Sequence, residues 1–123
     1  VAQEYVQKLR IATSGIEKEV AKLSGGNQQK VVFSKCLFAD ADLLMLDEPT
    51  RGIDVGAKSE IYAIIRRLSE EGKSIIIFSS ELPEIVNICD TIHLLFDGRL
   101  KACLRNGCDI DSEKIIHIVT GGE

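Results

Sequence analysis

Residues 43–58 read LLMLDEPTRGIDVGAK. Four apolar residues run unbroken into Asp47 and Glu48, and such a run is typical of a strand buried on both faces of a parallel sheet. Pro49 lacks a backbone donor and disfavours helix at the residue before it, so the strand is predicted to stop there. The acids then lie at the carboxyl end of the strand, where open α/β sheets place their ligands. The stretch predicts either a carboxylate pair serving a magnesium-bound nucleotide or a strand end with solvated acids.

Residues 23–30 read LSGGNQQK and precede this strand. Ser24 is a good N-cap, while Gly25 and Gly26 let backbone amides approach a ligand without a side chain in the way. The helix predicted over residues 27–39 would offer unpaired N–H groups and a positive dipole end, which together bind phosphate. By itself the pattern favours a simple capped helix after a flexible turn.

The two stretches together resemble the ATP-binding-cassette (ABC) ATPases. Their longer forms, LSGGNQQKVV and LDEPTRGIDVGAK, are similar to the second cassette of the tandem ATPases that drive monosaccharide importers. The resemblance implies an α/β fold, a partial P-loop NTPase with a mostly parallel sheet, flanking helices and a C-terminal β-hairpin. Residues 1–39 would hold the end of the helical subdomain and the signature helix, and residues 40–123 the catalytic-core half with its Walker B strand.

The resemblance also implies a role for each motif residue. Asp47 would help to bind Mg²⁺, and Glu48 would position water for attack on the γ-phosphate of ATP. The signature residues would bind that phosphate across a dimer interface, and Asp54 would couple the two sites. The residues implied in ATP binding are Ser24, Gly25, Gly26, Gln28, Asp54 and Ser80.

Two features depart from the family pattern. No stretch of the sequence matches G-x-x-x-x-G-K-[ST], the loop whose amides and lysine hold nucleotide phosphates, so the phosphate-loop strand is missing. In the segment FSSELPE, Ser80 stands where the family usually has a histidine, and serine offers no titratable imidazole. We therefore expect the chain to serve a partner cassette's ATP site, to be poorly equipped for its own, and to be inactive alone.

The composition limits which classes of partner are expected. A net charge of −4 without a basic cluster argues against nucleic acid as a ligand. Neither an apolar run of membrane-spanning length nor a leader-like segment is seen, which predicts a cytoplasmic protein. The resemblance implies a second cassette and transmembrane permease subunits of a sugar importer, and through these a peripheral place on the inner face of the cell membrane. A nucleoside importer is the nearest alternative, a repair or translation cassette a more distant one, and a non-catalytic interaction module belongs to a different class.

The remaining pattern predicts short elements, free thiols and an open sheet. Cys36, Cys89, Cys103 and Cys108 lack metal-site spacing and are expected to be reduced and mostly buried. His93 and His117 fall in apolar patterns and are expected to pack.

The family would place the missing strand between the strands predicted at 74–79 and 91–96. Three outcomes are then open: these two strands pair with each other, a second copy of the chain fills the gap, or the region is disordered. Self-association or loose packing is favoured, because exposed apolar strand edges promote association. Helices are predicted over residues 1–11, 55–71, about 80–89 and after Asp111, a partial helix over 16–23, further strands at 74–79, 91–96 and 99–104, and a hairpin turn at Asp97-Gly98.

Overall fold

The computed structural model describes residues 1–107 and 110–122, which divide into two compact units, Val1–Phe78 and Ser79–Glu123. Both units mix helices with a two-stranded sheet, in line with the predicted α/β class. The first unit contains α1 (Ala2–Lys8), a 3₁₀ turn (Val20–Lys22), α2 (Gly25–Phe38), β1 (Leu43–Asp47), α3 (Val55–Glu70) and β2 (Ser74–Phe78). The second contains α4 (Leu82–Ile88), β3 (Thr91–Phe96), β4 (Arg99–Arg105) and α5 (Ser112–Val119).

The first unit is built on a parallel pair of strands. β1 pairs with β2 in a register that sets Leu44 opposite Ile75, so the predicted pairing of these strands is confirmed. α3 ends at Glu70, and Gly72 with φ of +96° supplies the predicted stop. The core of this unit is formed by Leu9, Ile11, Phe33, Leu44, Leu46, Ile61, Ile64, Ile65 and Leu68.

The prediction that these strands are buried on both faces is wrong. Met45 is 63% exposed and Ile76 43% exposed, and Leu43 and Phe78 are also exposed. Burial alternates along β1, because successive side chains point to opposite faces and only one face is covered within the described residues. An unbroken apolar run identifies a strand but cannot report what covers it.

The second unit is a hairpin with two short helices. β3 and β4 are antiparallel, and the predicted turn is confirmed by positive φ at Asp97 (48°) and Gly98 (69°). Asp111 caps α5 as predicted, since its carboxylate accepts from the backbone N–H of Glu113 at 3.0 Å. The buried centre consists of Ile92, Leu94 and Ile115.

Several smaller expectations need correction. His93 and His117 are exposed, because each lies on the solvent side of its strand or helix. The described thiols are free, but Cys36 and Cys89 are only half-buried and Cys103 is exposed. Cys108 lies outside the described residues.

The segment 16–23 also differs from its prediction. It forms only the 3₁₀ turn at Val20–Lys22, and Ile16 and Val20 are exposed, so little apolar burial is available to stabilise a longer helix.

The described strands form two two-stranded sheets, with β1 paired to β2 in the first unit and β3 paired to β4 in the second. Among the helices of residues 1–107 and 110–122, none is long and apolar enough to cross a membrane.

Candidate functional site

The signature residues open helix α2. Ser24 has an extended backbone (φ −62°, ψ 157°) and caps the helix, with its Oγ accepting from the Asn27 backbone N–H at 3.4 Å and from Asn27 Nδ2 at 2.8 Å. Asn27 is held in turn by the preceding segment, because its Oδ1 accepts from the Ala12 N–H at 2.9 Å. The loop therefore has a defined shape before any ligand arrives.

The aspartate loop opens helix α3 in the same manner. Asp54 caps the helix and accepts from the Ala57 N–H at 2.9 Å. A Cβ built on Gly26 would lie 2.7 Å from the Ala57 Cβ, whereas one on Gly25 would lie 3.6 Å from the Gly52 carbonyl oxygen. Only glycine at position 26 allows the two helix starts to come this close.

These two helix starts line one surface cleft of about 300 Å³. The lining includes first-turn residues of both helices, so the positive ends of two helix dipoles lie beside the cleft, which favours an anion there. Of the predicted residues, Ser24, Gly26 and Asp54 are thus brought together. The lining is Ser24, Gly26, Asn27, Lys30, Asp54, Gly56, Ala57 and Glu60.

Five residues of the lining were not predicted as site residues: Asn27, Lys30, Gly56, Ala57 and Glu60. Asn27, Lys30 and Glu60 are polar residues on helices, a pattern indistinguishable from an ordinary solvated face. By contrast, two predicted residues, Gly25 and Gln28, are not part of the cleft lining. The Gln28 amide Nε2 instead donates to the Leu23 carbonyl at 2.9 Å.

The acidic pair lies at the carboxyl end of β1, outside the cleft lining. Asp47 is exposed and ends the strand, whereas Glu48 is half-buried with a left-handed backbone, φ of +46°. The Glu48 N–H donates to the Phe78 carbonyl at 2.8 Å, and its carbonyl accepts from the Arg51 N–H at 3.1 Å. A non-glycine residue held at positive φ costs free energy and is frequent at functional sites.

Ser80 belongs to the second unit, where it is exposed and lies just before the Glu81 N-cap of α4. In the described ranges, no group of three or more His, Cys, Asp or Glu side chains could hold a metal ion.

Comparison with known proteins identifies the family of this fold and site. The family model "ABC transporter" matches residues 1–51. The L-arabinose transport ATP-binding protein AraG of Geobacillus stearothermophilus is 47% identical over 97% of this chain and 23% of its own length. The ribose import ATP-binding protein RbsA of Shouchella clausii is 48% identical over 98% of the chain and 24% of its length. The chain thus spans about a quarter of the curated relatives it matches.

A solved nucleotide-free ATP-binding cassette from an ABC transporter has the same fold. It superposes with a TM-score of 0.78 over 97% of this chain and 44% of its own, at 22% identity. The resemblance carried by the signature and acidic segments is therefore confirmed, and the chain belongs to the ATP-binding-cassette (ABC) transporter family.

Proposed function

We propose that this chain is the carboxyl half of the second cassette of a tandem ATPase that powers import of a simple sugar. The observation that carries the proposal is the cleft lined by Ser24, Gly26 and Asp54, which lie at the N-terminal ends of α2 and α3. The similarity to arabinose and ribose transport proteins supports a monosaccharide as cargo.

The cleft would receive the γ-phosphate of an ATP molecule held by the opposite cassette. Ser24 Oγ and the amides of the first turn of α2 supply donors, and the absence of a side chain at Gly25 lets the backbone approach phosphate oxygens closely. Asp54, fixed at the start of α3, would link this site to its own cassette's acids. A glycine-rich helix start needs no rearrangement to perform this task.

The acidic pair would serve the cassette's own nucleotide. Glu48 would orient and polarise the attacking water, and its constrained backbone would restrict the positions that its carboxylate can reach. Asp47 presents a hard oxygen ligand, and Mg²⁺ is usually held by one or two carboxylates plus nucleotide phosphates, so the pair fits that ion. When bound, Mg²⁺ neutralises charge that develops on the phosphates.

The partners follow from what this chain supplies and lacks. With Ser80 at the histidine position, this half would serve the ATP site of the opposite cassette better than its own. Transmembrane permease subunits would carry the sugar and hold the ATPase at the cytoplasmic face of the membrane. Nucleic acid is not an expected partner.

The proposal is tested in the full-length ATPase with its permease. Gly25→Asp places a carboxylate where phosphate must approach and is expected to abolish most ATP hydrolysis and sugar uptake. Ser80→Ala changes little, because serine supplies no imidazole to lose. Normal turnover in Gly25→Asp would overturn the assignment, and loss of turnover in Ser80→Ala would contradict the expected asymmetry between the two sites.

A further inference from the structure

Helices α2 and α3 meet at two successive levels. At the first level Gly26 lies against Ala57, and at the second Lys30 forms an ion pair with Glu60. The partners are four residues apart on α2 and three apart on α3, so each helix uses one face for both contacts. Residue numbers increase in the same direction along both helices between these two contacts, so α2 and α3 run parallel to each other away from the cleft.

Lys30 is unusually enclosed for a lysine. Its side chain is only 6% exposed, and its Nζ donates to the Arg10 carbonyl at 3.0 Å as well as to the Glu60 carboxylate. A buried ammonium group is costly unless its charge and donors are satisfied. The Glu60 side chain is 60% exposed, so the pair consists of a fixed cation and an anion that water reaches.

The ion pair lies one turn behind the two loops of the site. Ser24 is tied to the first turn of α2, and Asp54 to the first turn of α3. Any rotation or slide of one helix against the other therefore moves Ser24 relative to Asp54. The Gly26–Ala57 contact limits how closely the helices approach, and the Lys30–Glu60 ion pair additionally opposes their separation.

We infer that Lys30 and Glu60 are positioning residues that hold the signature loop and the aspartate loop of this cassette in register. The inference rests on the proposed function, since it assumes that these loops meet a nucleotide together. Neither residue is assigned contact with ATP. Their effect is on how often the two loops reach the partner's nucleotide in a productive geometry.

The experiment compares ATPase variants of the full-length protein. Glu60→Ala removes the anion from the surface, and Lys30→Met removes the buried charge while keeping the stem. We expect each to lower kcat about tenfold, since a misplacement of about 1 Å can cost up to 10²-fold. KM for ATP should change less than about twofold, because the opposite cassette's phosphate loop, which supplies most of the binding, is untouched.

Three further variants sharpen the result. Glu60→Gln keeps an acceptor for Lys30 and should retain an intermediate kcat. The double variant Lys30→Met/Glu60→Ala should be no slower than Lys30→Met alone, because both changes break one interaction. Glu70→Ala, an exposed acid on the last turn of α3, is the matched control and should behave as wild type.

A purely structural role would look different. It would lower the melting temperature while the rate per folded molecule stayed unchanged, and that outcome, or a normal kcat in Glu60→Ala, overturns the inference. If Lys30→Met does not fold, the exposed Glu60 variants decide alone. Gly25→Asp separates the two proposals: normal hydrolysis there refutes the proposed function, whereas an inactive Gly25→Asp beside a normal Glu60→Ala refutes only the positioning pair.

Discussion

The contact between Gly26 and Ala57 gives the sharpest test of this structure. In Gly26→Ala the new methyl group would lie 2.7 Å from the Ala57 Cβ, whereas ordinary van der Waals contact begins at 3.4 Å. The helices must therefore move apart by about 0.7 Å at this level. The obstacle is another helix's Cβ, which cannot rotate away as a long side chain would.

The expected cost follows from two opposed terms. Overpacking a tight contact costs about 1–3 kcal/mol. Replacing glycine by alanine within a helix returns about 0.5–1 kcal/mol, and less at the second position of α2 than in the middle. The net loss is about 1–2 kcal/mol, which lowers the melting temperature of a unit of this size by about 5–10 °C.

Thermal unfolding followed by circular dichroism measures this loss. Gly25→Ala is the matched control, because its methyl group would lie 3.6 Å from the nearest atom, the Gly52 carbonyl oxygen. The double variant Gly26→Ala/Ala57→Gly removes the clash and should recover most of the stability lost by Gly26→Ala. A Gly26→Ala protein that melts at or above the wild-type temperature would refute the close helix contact.

Three further predictions concern binding and titration. The isolated chain should show no micromolar ATP binding by calorimetry, because its sequence has no phosphate loop, and micromolar affinity would disprove this. The hydrogen bond from Lys73 and its positive charge lower the pKa of Asp40. The stability that this carboxylate contributes is therefore present above its unfolded pKa and is lost as the pH falls through the lowered folded value. In Lys73→Met, an NMR titration should find the Asp40 pKa back in its ordinary range. Burial raises the pKa of the Cys89 thiol, and the charges of Asp90 and Glu84 raise it further. At pH 8, Cys89 should therefore react with iodoacetamide more slowly than the exposed Cys103. Equal rates would contradict the half-buried position of Cys89.

The sequence by itself determined the features that local chemistry controls. Ser24 and Asp111 were predicted as helix caps because a cap needs only a side-chain oxygen within three residues of a free N–H. Asp97-Gly98 identified its turn since both residues tolerate positive φ. The motif wording identified the family and singled out Ser24 and Asp54, which the structure places in one cleft.

The tertiary structure alone decided which surfaces these elements share. Met45 lies in an apolar run yet is exposed, because burial depends on what covers the sheet and not on the strand's own residues. Lys30 is polar yet enclosed, because its partners, Arg10 and Glu60, lie 20 and 30 residues away along the chain. Helix and turn signals act over a few residues, whereas packing brings distant residues together. The Lys30–Glu60 pair, which we infer positions the two loops of the site, was therefore visible only in the folded chain.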